Sequence, residues 1–195
     1  STKYHPNGFL GDGKAASVYS MPENPTMCVK YMRPNKEKPK NHLSAHAEYE
    51  ITGKVRKITI NTGVKTPELF SYIEKNDDRL YVMETISGAT LDLLIKNNLG
   101  TKEKLPTPEK FEESLFLYFK TIHHAGFTHY DLHGGNIMLD FNSKTPAVID
   151  FGAAQIKGVA SEFNFEKAVA ADLKDVSEVC RRYRTYYQNL TNKDK

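Results

Sequence analysis

The sequence has no tryptophan and only two cysteines, Cys28 and Cys180, in 195 residues. Two thiols so far apart suggest no disulfide framework, and reduced thiols in a cytosol are the simpler reading. No apolar run approaches the ~20 residues of a membrane-spanning helix. No signal-peptide pattern opens the chain, and no internal repeat is visible. An excess of one charge is lacking too. The 27 basic and 24 acidic side chains leave a formal net charge of +3, which implies no nucleic acid partner. The densest basic run, Arg33 to Lys40, is interrupted by Pro34 and Pro39 and reads as a solvated loop before a docking patch. A monomer with neither nucleic acid nor membrane as partner is expected, in the cytoplasm.

What is present is chemistry in order. His129-Tyr130-Asp131-Leu132-His133-Gly134-Gly135-Asn136 is followed by a strand-like run and then by Asp150-Phe151-Gly152. Asp131 can orient or deprotonate an attacking hydroxyl. Asn136 and Asp150 supply oxygen ligands of the kind magnesium prefers, beside the phosphates of ATP. Alone, the segment could equally be a capped turn with Asn136 in a left-handed conformation and Gly134-Gly135 as a tight turn. The rest of the chain decides between them.

Phe9 to Tyr19 alternates as a hairpin would, with Gly11 and Gly13 removing side chains that would hold the backbone away from phosphate oxygens. Gly8 to Lys14 also matches the Walker loop, but that motif needs Ser or Thr next and the chain has Ala15. Met27 to Met32 is a short apolar strand with Lys30 inside it, and a lysine so placed usually snorkels to water. Here a helix over His42–Ile58 follows, with Leu43, Ala47, Ile51 and Val55 at helical spacing. Its Glu48 or Glu50 can pair with Lys30; Glu48 is preferred because Ile51 and Val55 then pack inward. Two strands, Pro67 to Glu74 and Arg79 to Ile86, flank the polar turn Lys75 to Asp78.

Helices are expected over Leu91–Leu99 and Pro108–Ala125. The second opens with a Thr107 cap, Pro108 at its first position and an acid in its first turn. Its apolar stripe reads Phe111, Leu115, Leu117, Tyr118 and Ile122, and Gly126 stops it. Ile137 to Leu139 and Ala147 to Ile149 read as strands across a turn from Asn142 to Pro146. A last helix covers Glu166 to Gln188, with Val169, Leu173, Val176, Val179 and Tyr183 inward. Asp172 or Asp175 could reach the catalytic-loop backbone, though a solvated helical carboxylate is the simpler reading of either.

Together these motifs resemble the protein-kinase-like superfamily over residues 9 to 152. The resemblance implies an α+β, minimal bilobal fold. Its N-lobe (about 1–86) would be an antiparallel sheet plus one helix, joined by a hinge near 84–90 to a truncated helical C-lobe (about 91–195). It implies ATP and Mg²⁺ as cofactors, with Lys30 on the phosphates, Glu48 holding Lys30, Asp131 as base, and Asn136 and Asp150 on the metal. Gly11, Gly13, Val18, Met83, Glu84 and Ile86 would line the nucleotide site. Departures matter as well. Tyr130 replaces the arginine that reads activation-loop phosphate in regulated kinases, and His133 stands where Ser/Thr kinases carry lysine. Asp131-Leu132-His133 is similar to the aminoglycoside- and choline-kinase branch, yet there is no length for a substrate subdomain.

Compactness and the Gly11-x-Gly13-x-x-Ala16 loop resemble the small kinases that bacterial pathogens inject into host cells. Two such groups are similar, one binding ubiquitin-loaded conjugating enzymes and the other phosphorylating the heat-shock protein 90 chaperone; the second is preferred, and it implies a folded host protein as substrate. It also adds secretion into the host cytosol to the expected locations. A small-molecule phosphotransferase and a nucleotide-binding pseudokinase are the alternatives. The small atypical kinases of tRNA-modification complexes are a further relative, disfavoured by the absence of a basic tail.

Overall fold

Alternating apolar and polar positions build the first sheet. A computed structural model describes residues 9–12, 16–34 and 42–190; Gly13, most of the basic run after Pro34, and the Walker-like Lys14 lie outside them. Five antiparallel strands, β1 (Phe9–Asp12), β2 (Ala16–Ser20), β3 (Met27–Met32), β4 (Leu69–Lys75) and β5 (Asp78–Glu84), run in the order β1-β2-β3-β5-β4. The register sets Lys30 directly between Val18 on one side and Tyr81 on the other. Because side chains alternate across a strand, the three share one face.

Helix α1 (Ala45–Ile58) lies against this sheet. It begins three residues later than periodicity suggested, because Ser44 caps it: the hydroxyl accepts from the Ala47 N–H at 3.1 Å. Such a cap is worth ~1 kcal/mol. His42 and Leu43 stay outside the helix, and the Leu43 N–H donates to the Gly152 carbonyl at 2.7 Å. Glu48, Ile51 and Val55 turn inward, and the helix is polar on its outer face.

The second lobe carries a small sheet, β6 (Gly88–Thr90), β7 (Ile137–Asp140) and β8 (Thr145–Val148), in the order β6-β7-β8. The strand β6 falls inside the expected hinge and was not foreseen; it forms because Gly88 lets the chain approach the Leu139 carbonyl, where a Cβ would clash. The turn before β8 is shorter than expected, since Thr145 and Pro146 already belong to the strand. Three helices complete the lobe: α2 (Leu91–Asn97), α3 (Pro108–His124) and α4 (Glu162–Leu190). Phe111 of α3 stacks on Tyr183 of α4 with ring centroids 3.9 Å apart. Tyr118, Phe119, Ile122 and Val176 are completely buried beside them.

Two residues placed inward by sequence spacing are not core. Leu117 is 46 % exposed and Leu173 is 40 % exposed, while Val169 is half-buried. The buried stripe of α3 runs instead through Phe119, one position round the helix. Lys65 pins the lobes together, with Nζ 3.0 Å from Glu84 at the end of β5 and 2.7 Å from the buried Asp140. Among the described residues no helix is long and apolar enough to cross a membrane.

Candidate active site

Lys30 and Glu48 are both almost completely buried, and their charged atoms meet at 2.7 Å. The strand register points Lys30 toward α1, and the helical register of Glu48, with Ile51 and Val55, points the acid back. Glu50 is half-exposed, 3.8 Å from His46 on the outer face of the same helix. Lys30 is also 3.4 Å from Asp150 Oδ1 and 5.7 Å from the centre of the Tyr81 ring. One ammonium therefore serves two carboxylates.

The three groups titrate against one another. Burial opposes the charge on Lys30, but Asp150 and Glu48 together hold its pKa well above the ordinary lysine value. Burial alone would raise Asp150, yet the Lys30 ammonium outweighs it and holds that carboxyl well below the usual range. Glu48 goes the other way. Burial dominates there, the Asp150 charge adds to it, and its pKa rises. Its Oε2 is buried with no hydrogen-bond partner, which is consistent with a carboxylate that holds its charge at a cost.

Across the cleft the geometry rests on backbone. Asp172 of α4 is fully buried, not the solvated carboxylate expected from its helical position. Its Oδ2 accepts from the His129 N–H at 2.9 Å and its Oδ1 from the Tyr130 N–H at 2.7 Å. His123 Nε2 lies 2.7 Å from the same Oδ2. Asp175, the other candidate, makes no hydrogen bond to that backbone; burial and the neighbouring Asp172 raise its pKa. Two charge-assisted bonds hold Tyr130 at φ 62°, a left-handed conformation that its own side chain does not favour.

His129 joins the two chemical segments. Its Nδ1 accepts from the Asp131 N–H at 3.2 Å, so Nε2 carries the hydrogen and donates to the Ile149 carbonyl at 2.8 Å. The Phe151 ring packs edge-on against it at 4.8 Å. Asp150 next door has φ 65° and accepts the Gly152 N–H on Oδ1 at 3.2 Å. Strained non-glycine backbone of this kind persists where the surroundings over-determine it.

Asn136 donates through Nδ2 to the Asp131 carbonyl at 2.8 Å and lies 3.4 Å from Asp131 Oδ2. Its Oδ1 accepts no hydrogen bond among the described residues. Asp131 keeps its carboxylate 46 % exposed toward the cleft, with His133 Nε2 3.9 Å away. Gly134 is required by space rather than by turn conformation. A Cβ there would fall 2.2 Å from Asp92 Oδ1, whose ion pair with Arg182 ties α2 to α4.

The remaining nucleotide-site candidates among the described residues lie on the first sheet and just after it. A Cβ at Gly11 would meet nothing within 4 Å, so no protein neighbour demands a glycine there. Val18 is half-buried beside Lys30 in the register. Met83 packs against the upper core cluster of Ala16, Met32, Ala45 and Tyr81. Beyond it the Glu84 N–H is taken by the Glu68 carbonyl, while the Ile86 N–H has no acceptor among the described residues. Among the described residues no group of three or more His, Cys, Asp or Glu side chains could hold a metal ion. A site of one carboxylate and one amide oxygen, Asp150 and Asn136, is of a different kind.

The chain is 27 % identical over 156 residues to the leucine-rich repeat receptor protein kinase MSP1 of Oryza sativa subsp. japonica, covering 75 % of this chain and 11 % of that protein. It is 24 % identical over 149 residues to the serine/threonine-protein kinase PknA of a Nostoc species, covering 76 % of this chain and 26 % of that one. The chain thus spans about a quarter or less of these relatives. The crystal structure of the PF14_0431 kinase domain superposes with a TM-score of 0.66 at 18 % identity, over 92 % of this chain and 64 % of its own. It is similar in fold. The family model described as the protein kinase domain matches residues 4–172, and the chain belongs to that family.

Proposed function

We propose that the chain is an active protein serine/threonine kinase that transfers the γ-phosphoryl group of ATP, with Mg²⁺, to a hydroxyl of a folded protein. The observation that carries this reading is the buried Lys30–Glu48–Asp150 cluster together with the Asp131–Asn136 pair, on a loop that His129 ties to the Ile149 carbonyl beside Asp150. A pseudokinase has no need to keep all five.

The donor set fits a hard divalent cation: a carboxylate held ionised by Lys30, and an amide whose oxygen is uncommitted. When bound, Mg²⁺ neutralises charge on the transferring phosphates. The protein does the rest by position. Lys30, fixed by Glu48, holds the α- and β-phosphates. Gly11 and Val18 cover them, Met83 backs the adenine, and the Glu84 carbonyl and Ile86 N–H meet its edge. Asp131 orients the acceptor hydroxyl and takes its proton on a cleft-facing oxygen. Asn136 braces the loop that carries that oxygen.

A folded acceptor is favoured by the shortness of residues 153–161, which link Gly152 to α4. Their bridges pair Ile156 with Phe127 and Lys157 with Ala160, leaving little extended backbone for a peptide. A loose peptide must bear its ordering entropy with few contacts to offset it, whereas a folded partner presents an ordered loop. The finer reading is a bacterial effector, delivered into a host cytosol, that phosphorylates the heat-shock protein 90 chaperone. It rests on the short link of residues 153–161 and the Asp131-Leu132-His133 loop.

The test is labelled ATP incubated with the intact chaperone, with a generic serine peptide, and with choline or an aminoglycoside. Efficient transfer to a folded protein, absent for Asp150→Ala, supports the reading. Transfer to the small molecules alone replaces it with small-molecule phosphotransfer, and turnover of folded proteins other than the chaperone removes only the finer part.

A further inference from the structure

The residues that sequence spacing placed in the core, and the fold did not, lie together. Leu117 of α3 and Leu173 of α4 stand on either side of a groove of ≈ 630 Å³, floored by Phe116 and Val169. Two exposed leucines facing each other over a partly buried phenylalanine form a continuous apolar strip. Its ionisable lining is all of one kind. Lys120, His123 and His124 border the groove, and no carboxylate lines it.

Lys120 is exposed and makes no ion pair among the described residues. On the same two helices Arg184 holds Glu109 and Glu112, Arg181 holds Glu178, and Arg182 holds Asp92, whereas Lys110, Lys167 and Lys174, like Lys120, make no ion pair among the described residues. In the groove, apolar surface and an unmatched lysine coincide. From Leu117 to His124 the α3 wall runs about two helical turns, or ~10 Å, which suits two turns of a docked helix.

We propose that the α3–α4 groove docks an amphipathic helix of a partner protein, with leucine-like side chains at i, i+4 and i+7 between Leu117 and Leu173 and acidic residues on its flank beside Lys120. Helix-in-groove recognition uses this spacing of anchors, and the unmatched lysine selects the sign of the flank. The groove also touches the catalytic loop through one residue. His123 is part of its wall and is bonded to Asp172, which holds the His129 and Tyr130 N–H groups. A docked helix would rest on the support of the loop without entering the cleft.

The probe is a stapled, fluorescein-labelled peptide with three leucines at that spacing and glutamates on its flanks, titrated into the full chain by anisotropy. A second peptide carries lysines in place of the glutamates. The glutamate peptide should bind saturably and more weakly at high salt, and the lysine peptide should not. Leu117→Ser and Leu173→Ser should each weaken binding about tenfold, as loss of a buried interface leucine does. Both positions are exposed, so melting temperature and basal phosphoryl transfer should be unchanged. Lys120→Glu should invert the preference between peptides. Absence of binding by either peptide, or equal binding of both, overturns the proposal. So does a wild-type dimer, seen by light scattering, that Leu173→Ser makes monomeric, because the occupant is then a second copy.

Discussion

The two walls of the cleft reach their geometry by opposite routes. On the upper wall charged side chains are buried and bound to one another: Lys30 to Glu48 at 2.7 Å and to Asp150 at 3.4 Å. On the lower wall the buried charge, Asp172, binds backbone N–H groups and leaves Asp131 open to the cleft. On the proposed reading the upper arrangement fixes a cation for the phosphates, so its side chains are spent on one another. The lower arrangement fixes a loop and leaves the Asp131 carboxylate exposed. Substitution should therefore read out as altered nucleotide handling above, and as lost turnover or lost loop stability below.

The sharpest break is at Asp150, which belongs to both walls. Asp150→Ala should reduce phosphoryl transfer to background in a radiometric assay while circular dichroism shows a folded chain. Asp131→Asn should lower kcat by ~10²–10⁴ with little change in the KM for ATP. Wild-type turnover in either variant would remove the assignment.

Next comes the buried support. Asp172→Ala strips acceptors from two backbone N–H groups and from His123, so a denaturant titration should show ~3–5 kcal/mol of lost stability. Asp175→Ala should stay within ~0.5 kcal/mol. Similar losses at the two positions would mean that the loop is not held as described.

A smaller effect is expected on the upper wall. Glu48→Ala frees Lys30 to swing toward water and should raise the KM for ATP by about tenfold (~1.4 kcal/mol). Glu50→Ala, outward beside His46, should leave it unchanged. If Glu50→Ala proves the worse variant, the upper wall is assembled differently in solution.

The pH dependence separates the walls more finely. The Glu48 pKa is raised from 4.5 to about 7, so the folded state binds a proton more tightly than the unfolded one. That contribution to stability is complete below 4.5 and is lost as pH rises through about 7. Asp150, depressed from 3.8, contributes above its unfolded value and loses that contribution as pH falls below it. Wild type should therefore lose stability relative to Glu48→Gln between pH 5 and pH 8, measured by thermal melts. An unchanged difference across that range would show that Glu48 is ionised throughout.

The smallest expected effect is none. Tyr130 has neither the charge nor the planar donors with which arginine grips a phosphate. Phosphatase treatment of the purified chain should leave its rate unchanged.

The upper wall was legible in the sequence and the lower wall only in part. Lys30 inside an apolar strand and Glu48 one turn before Ile51 and Val55 are local patterns, and local periodicity fixes which way a side chain faces. Asp172 carries no such signal. Its role depends on a loop 42 and 43 positions earlier, and a helical carboxylate reads the same whether it caps that loop or faces water. Leu117 and Leu173 show a second limit. A helical stripe gives spacing, but the width of the buried arc is set by how the helices cross, and here Phe119 takes the buried place instead. The strand β6 was hidden because only three residues, one of them glycine, pair there.

The contact between the Leu43 N–H and the Gly152 carbonyl has a use beyond holding the chain. Leu43 lies two residues before α1, and Gly152 ends the Asp-Phe-Gly turn, so an outward swing of α1 that parts Glu48 from Lys30 also parts this bond. Leu43 belongs to no helix or strand, so its amide has no local ladder to protect it from solvent hydrogen. Its exchange rate is thus a direct gauge of how often the cleft comes apart, readable in the resting protein with no substrate present.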